Sequence, residues 1–491
     1  MDLFPQGNFK KVSPIRKWSD VRIRERHDSR RWMFLSTIFW SFGNCFISNL
    51  VIIFMALSHG MQKGTFFLGL ILALPFLAGA MRGFTPFLIQ KMHGVKRFCI
   101  TAYLMEILLL WMMIFWGRPD FLSPFPALMC LTFFWFTANL AEHCATVALF
   151  AWSGEIFPEK TRGRVFGNRE FYRISGEILS LVICFLAVFW WRNYFPFRAC
   201  FSEYYLYALL AVIGTLFTLP GTLFLLRVHA PRALSAGNNK SPISFSADKK
   251  EGMHEMEISK IEGAHFREMF RQFLLPIQDR RFRPLLYYGA YFAFITQLEQ
   301  VFQITYPAKI FDEDVKLYGL GLPFLLLLSL RFITRAGQLC LSRTAGKKID
   351  RNGVIPILAL SQFLTAFGAL CYFFASPRFP FFLFAAPFFY IAYVGLNVGL
   401  PQIQIQLSPP KKHATWIAAY GTISGLIAFL GALAGGALAK LLPPMDFTSP
   451  ISETSTLLQN IYWVQIPFLI SFILRALATL FLLKIPKNEN L

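Results

Sequence analysis

Charge is scarce in this 491-residue chain: Asp, Glu, Lys and Arg make up 15% of it, against 55% hydrophobic residues. A soluble protein of this length is expected to divide into several domains with polar surfaces, and no stretch of the sequence offers one. Acid is the scarcer sign, with 27 Asp and Glu against 48 Lys and Arg. Cysteine is sparse too. Most of the eight fall inside apolar runs (Cys45, Cys130, Cys144, Cys184, Cys340, Cys371), and only Cys200 clearly faces the outside. That pattern gives neither a disulfide framework nor a metal-ligand pair and fits small packing residues. No nucleotide-binding glycine loop precedes a helix, which argues against ATP-driven work. His143 beside Glu142 has no nucleophile or metal-ligand companions, so the chain does not read as an enzyme, and no cofactor or metal is expected. No secretory signal peptide is expected, because the first apolar run is too long for one and lacks a small-residue cleavage site.

The apolar residues come instead in long runs, with Phe alone contributing 56 residues. About 20 apolar residues cross roughly 30 Å of hydrocarbon as a helix. Twelve such runs lie near 33–58, 65–90, 98–116, 127–152, 171–191, 204–227, 284–309, 317–344, 353–375, 380–406, 413–440 and 461–483. The fold class is therefore an all-α integral membrane protein with twelve transmembrane helices.

The net charge of +21 would suit nucleic acid, but its distribution argues otherwise. With the N-terminus inside, the inner segments hold 36 of the 48 Lys and Arg and the outer loops only 8. This is the positive-inside bias of a membrane protein. It predicts cytoplasmic termini, contact with the lipid bilayer and no nucleic-acid partner.

Six runs precede residue 228 and six follow residue 282. The expected division is a basic segment 1–32, a six-helix bundle 33–227, a central loop 228–282, a second bundle 283–484 and a tail 485–491. The loop ends in HFREMFRQFLLPIQDRRF, where Phe266, Phe270, Phe273 and Leu274 recur at helical spacing, as in a short helix lying on the inner membrane face. The halves echo each other at their connectors. Gly94 follows run 2 and Gly353 follows run 8, 259 residues later. Pro158 follows run 4 and Pro409 follows run 10, 251 residues later. Matching offsets are what duplication of a six-helix unit produces.

The stretch GKKIDRNG after run 8 resembles the G-x-x-x-D-R-x-G connector of the major facilitator superfamily of transporters. FPEKTRGRVFG, after run 4, resembles that superfamily's P-x-x-x-R-G connector. Two departures stand out: Lys91 occupies the place of an Asp after run 2, and the connector after run 10 lacks Arg-Gly. The resemblance implies two pseudo-symmetric six-helix bundles that rock about a central solute site. It also implies a cytoplasmic latch between the halves, here assigned to Arg162, Arg164, Asp350 and Arg351, with Gly346 and Gly353 permitting close approach and tight turning. Asp350 is expected to accept from the first amides of the ninth helix. Arg169 and Arg173 read better as simple positive-inside anchors.

A central site would be lined by runs 1, 4, 7 and 10, and each carries a polar stripe at i, i+3, i+4, i+7 spacing. The candidate lining residues are Asn44 and Ser48; Asn139, Glu142 and His143; Gln300 and Gln303; and Tyr390, Tyr393 and Asn397. Polar groups at membrane depth must face protein or water. Hydrogen bonding between helices accounts for part of the set. Ionisable residues there need a partner or a role. Arg82 and Glu106 lie at similar depth and are expected to form a structural ion pair. Glu142, His143 and Glu299 are candidates for proton coupling. Glu299 and Arg331 can also meet near the midplane as a static pair, with Arg335 one turn on. Gly421, Gly425, Gly431 and Gly435 of run 11 form two small-xxx-small motifs suited to close helix contact.

The function expected is secondary active transport of a small solute, with protons as the coupling ion and a monomer as the working unit. The alternative is a transporter-like membrane sensor that binds a solute without moving it. The substrate stays open. Arg331 and Arg335 suit an anion, whereas Trp40, Trp135, Tyr390 and Tyr393 suit a sugar or a flat ring. Runs 1 and 7 lack the arginines of the superfamily's organic-phosphate exchangers.

Overall fold

A computed structural model describes residues 14–48, 51–52, 55–56, 65–92, 94–118, 120–194, 203–229, 271, 273–310, 321–376, 378–410, 412–441 and 463–485. Lys10, Lys11, Cys200, Phe266 and Phe270, and most of the central loop, lie outside the described residues.

Every one of the twelve apolar runs carries helix. The first half contains α1 (Pro14–Phe46), α2 (Thr65–Ala80), α3 (Thr85–Lys91), α4 (Val95–Trp116), α5 (Pro124–Ile156), α6 (Glu159–Tyr194) and α7 (Glu203–Phe224). The second contains α8 (Arg283–Ile310), α9 (Gly321–Asn352), α10 (Val354–Phe374), α11 (Phe381–Tyr390), α12 (Tyr393–Leu407), α13 (His413–Leu441) and α14 (Ile466–Leu483). A 3₁₀ turn, Met81–Phe84, joins α2 to α3. No strand occurs among the described residues.

Eight spans among the described residues are long and apolar enough to cross a membrane. The spans built on α1, α8 and α9 are more polar. Helix α1 begins in a basic stretch, α8 carries Gln297, Glu299, Gln300 and Gln303, and α9 carries Arg331 and Arg335. Large apolar side chains such as Leu108, Phe125, Phe133, Leu186, Phe388 and Leu480 are exposed on the helix surfaces. In water this would be an aggregation hazard. On apolar spans it is the lipid-facing surface of a multi-pass membrane protein.

Helix α1 packs on α6 and α7, and α8 packs correspondingly on α13 and α14, as a duplicated unit requires. The halves meet along two long seams, α6 against α9 and α2 against α13. Small residues set the closeness of both. A Cβ on Gly425 of α13 would lie 2.7 Å from the backbone nitrogen of Ala80 in α2. Because lipid tails are as apolar as a protein core, such seams are held by close packing and polar contacts rather than by apolar burial. A buried cluster that includes Phe46, Ile52 and Leu131 from the first half, with Phe302, Tyr306 and Phe468 from the second, also joins the two.

Two connectors expected to be loops are helical. Pro158 does separate α5 from α6, with Phe157 extended before it, as steric clash with proline demands. Gly163 and Gly167 lie inside α6. Gly346 likewise lies inside α9. Only Gly353 breaks the chain there, with φ +84°, a left-handed backbone that glycine adopts without strain.

Candidate substrate cavity and connector latch

The first turns of α6 and the last turns of α9 cross with glycine against glycine. A Cβ on Gly346 would sit 2.5 Å from the Gly163 carbonyl oxygen and 3.0 Å from the Gly167 Cα. Asp350 lies one turn beyond and closes the contact chemically. Its Oδ1 accepts from the Gly163 amide at 2.8 Å, and its Oδ2 accepts from the Arg164 amide at 3.1 Å. Arg164 Nε is 3.2 Å from the same Oδ2. Asp350 thus caps α6 across the bundle interface, not α10 within its own half. The reason is geometric: the glycine crossing brings the α6 amides within reach. Burial pushes the Asp350 carboxyl above its usual range, against the pull of the two amides and of Arg164.

Arg162 does not cross between halves. It donates to the Gly154 and Phe157 carbonyls at 3.1 and 3.2 Å, tying off the end of α5. Arg351 is exposed, and Gly353 serves the turn.

Between the halves lies a cavity of about 600 Å³. Asn44, Ser48, Asn139, Glu142, His143, Gln300, Gln303 and Tyr390 line it, together with Trp40 and Trp135. Tyr393 and Asn397 do not. Tyr393 accepts from Arg475 Nη1 at 2.5 Å, and Asn397 donates to Glu170 Oε1 at 2.9 Å. These partners, on α14 and α6, hold the two side chains off the cavity wall.

A charged cluster from α6 and α9 borders the cavity. Arg173 makes a two-pronged contact with Glu170, its Nε and Nη2 each at 2.7 Å. It also donates to Glu177 Oε2 at 3.1 Å. Glu177 Oε1 accepts from Arg331 Nη2 at 2.6 Å and from Arg335 Nε at 2.9 Å. Arg335 continues to Gln338 at 2.6 Å, and Gln338 to the Tyr390 carbonyl at 2.9 Å. A buried carboxylate holding three guanidiniums is well satisfied. It also ties one bundle to the other about 15 Å along α6 from Gly167, at 1.5 Å per residue.

Across the cavity, His143 Nε2 lies 2.9 Å from the Pro75 carbonyl. A carbonyl only accepts, so that nitrogen carries a proton. Glu142 lies beside Asn44 and Arg82 and forms no salt bridge among the described residues. The expected Arg82–Glu106 pair does not form. Arg82 Nε donates to the Gly79 carbonyl at 2.8 Å, and its side chain packs against Gly421 of α13. Glu106 is buried with its Oε2 unpartnered among the described residues. The 3₁₀ turn at Met81–Phe84 points Arg82 at the bundle interface, away from α4.

Glu299 does not meet Arg331. It is fully buried with Arg475 of α14, whose Nη2 and Nε lie 2.9 and 3.0 Å from Oε2. Ser471 donates to that same oxygen. Oε1 accepts from Gln303 at 2.5 Å and Tyr390 at 2.9 Å. Helix α8 packs on α14, so Glu299 faces that neighbour while Gln300 and Gln303 face the cavity. Arg173, expected as a simple positive-inside anchor, is instead held in the α6–α9 ion cluster; Glu177 and Arg475 stand out in the sequence only as ionisable residues at membrane depth, and Glu170 and Ser471 do not stand out there at all. Glu170, Arg173 and Glu177 share one helix face at i, i+3 and i+7, and that spacing was the available signal. Nothing local foretold Arg475 as the partner of Glu299.

A helical membrane protein of two repeated bundles, with a polar cavity between them and a glycine-tight seam at their connectors, has the fold of the major facilitator superfamily of transporters. Solved structures of such transporters match nearly the whole chain. The xylose transporter XylE from E. coli is 14% identical with a TM-score of 0.60, covering 95% of this chain and 99% of that one. The E. coli fucose:proton symporter FucP is 13% identical with a TM-score of 0.56, covering 92% and 98%. The human organic anion transporter MFSD10 is 10% identical with a TM-score of 0.56, covering 92% and 99%. No protein-family model matches the sequence, and no curated protein matches it. The likeness is one of fold.

Proposed function

We propose that this protein is a secondary active transporter that moves a small solute by alternating access, with residues 33–227 and 283–484 as the two rocking bundles. The observation that carries this is the polar cavity of about 600 Å³ walled by both halves, beneath which the α6–α9 crossing is drawn shut at Asp350. A solute site at the bundle interface, with a breakable seam at one end, is what alternating access needs. The positive-inside bias puts the latch and both termini on the cytoplasmic side of a cell membrane. The conformation then has its cytoplasmic gate closed.

Transport is coupled to protons in this reading, and Glu142 is the carboxyl that takes and releases them. Among the described residues it is the cavity-lining acid outside any salt bridge, whereas Glu177 is saturated by three arginines and Glu299 is sealed away with Arg475. His143 stands next to it. The protein works as a monomer, since both halves of the cavity come from one chain. Proteoliposomes with an imposed pH gradient, loaded with solutes that stabilise the purified protein against heat, test the proposal. Gradient-driven accumulation is the expected result. Binding with no flux in either direction would sink it.

A further inference from the structure

Cation exceeds anion at the α6–α9 cluster. Arg173, Arg331 and Arg335 stand against Glu170 and Glu177. Glu170 is taken up by Arg173 in a two-pronged contact, and Glu177, which also accepts from Arg173, is shared by two guanidiniums from the opposite bundle. Of these, Arg331 is the more open: 34% of its side chain is exposed, against 19% for Arg335 and 4% for Glu177. Arg331 spends Nε and Nη2 on Glu177; its Nη1 has no hydrogen-bond partner among the described residues. The cluster therefore carries one positive charge more than negative, and Arg331, whose guanidinium lines the cavity, presents it.

We propose that the solute carries a single anionic group, a carboxylate, which binds Arg331 and displaces the Glu177 carboxylate from it. This rests on the reading of the cavity as a transport site. A planar guanidinium pairs best with a planar carboxylate. A monoanion cancels the surplus charge, whereas a phosphate dianion would leave a net negative charge in a poorly solvated site. The amides of Asn44, Asn139 and Gln300 on the cavity wall suit a hydroxylated remainder. The geometry gives the solute a consequence beyond binding. Glu177 belongs to one bundle and Arg331 to the other, so a solute that takes over Arg331 loosens an ion pair between bundles.

Trp40 and Trp135 line the cavity, so tryptophan fluorescence of the purified full-length protein reads occupancy. Matched probes are D-gluconate and D-glucuronate against D-glucose, L-lactate against lactamide, and D-glucose 6-phosphate. At least one monocarboxylate should bind roughly ten- to a hundredfold more tightly than its neutral counterpart, the range of a charge-assisted contact, and more tightly than the phosphate ester. Arg331→Gln should abolish that preference. Glu177→Gln should tighten monocarboxylate binding several-fold, because the competing carboxylate is gone; a purely structural Glu177 would give weaker binding or none. Equal binding of acid and neutral probes, no binding by any probe, or a preference that survives Arg331→Gln overturns the proposal. The wild-type comparison stands even if a variant does not fold. Flux of a neutral solute without acid preference would sink the anion site and leave transport standing. Acid-selective binding without flux would support the site and sink transport.

Discussion

Replacing Asp350 with Asn should open the connector end. The carboxylate accepts from two backbone amides, at 2.8 and 3.1 Å, and a charged acceptor contributes about 1.5–3 kcal/mol per bond against about 0.5–1.5 for a neutral one. The carboxamide keeps one acceptor oxygen and turns an N–H₂ donor toward Arg164. The Arg164 ion pair adds less than about 1 kcal/mol, because that arginine side chain is 59% exposed. The closed state should therefore lose about 2–3 kcal/mol, a 30- to 150-fold change in the closed-to-open ratio at about 1.4 kcal/mol per tenfold. A closed fraction of about 99% would fall to roughly 40–75%. Spin labels replacing the exposed Lys160 and Lys347, in a background without other cysteines, would report the separation by pulsed electron paramagnetic resonance. The variant should show a second, longer distance population. An unchanged distribution in a folded variant would refute the latch.

Gly346→Leu should open the same seam sterically and more completely, since its Cβ would meet the Gly163 carbonyl oxygen at 2.5 Å; the same distance measurement checks it. Glu142→Gln should abolish proton-driven accumulation while leaving solute exchange across vesicles with no pH gradient; retained uphill uptake would remove Glu142 from the coupling role. Glu299→Gln leaves Arg475 buried without a counter-charge and should destabilise the fold by about 3–5 kcal/mol, seen as a lower melting temperature in detergent. Gly425→Val should separate α2 from α13, given a Cβ 2.7 Å from the Ala80 nitrogen, and lower thermal stability without altering the charged cluster.

Membrane spanning, the twofold repeat and the polar faces of runs 1, 4, 7 and 10 were legible because each rests on short-range periodicity. A helix repeats every 3.6 residues wherever it sits, and the cost of stranding polar groups in lipid forces polar stripes inward. So Asn44, Asn139, Glu142, Gln300 and Gln303 could be placed at the cavity one helix at a time. Tyr393 and Asn397 failed the same rule because each is held by a neighbouring helix, through Arg475 on α14 and Glu170 on α6.

Pairing could not be placed that way. Helical spacing says which face a charge lies on, but not which neighbour that face meets or how far the neighbour has slid along its axis. Arg82 was matched to Glu106 by depth, yet the 3₁₀ turn after α2 sends it toward α13. Glu299 was matched to Arg331 by depth, yet α8 turns it toward Arg475 on α14, leaving Arg331 for Glu177 on α6. The sequence by itself determined that this chain crosses the membrane repeatedly, in two related halves, with its polar groups gathered between them. Only the tertiary structure decided which charges meet, because an ion pair forms within 3–4 Å and that distance depends on how whole helices rotate and cross.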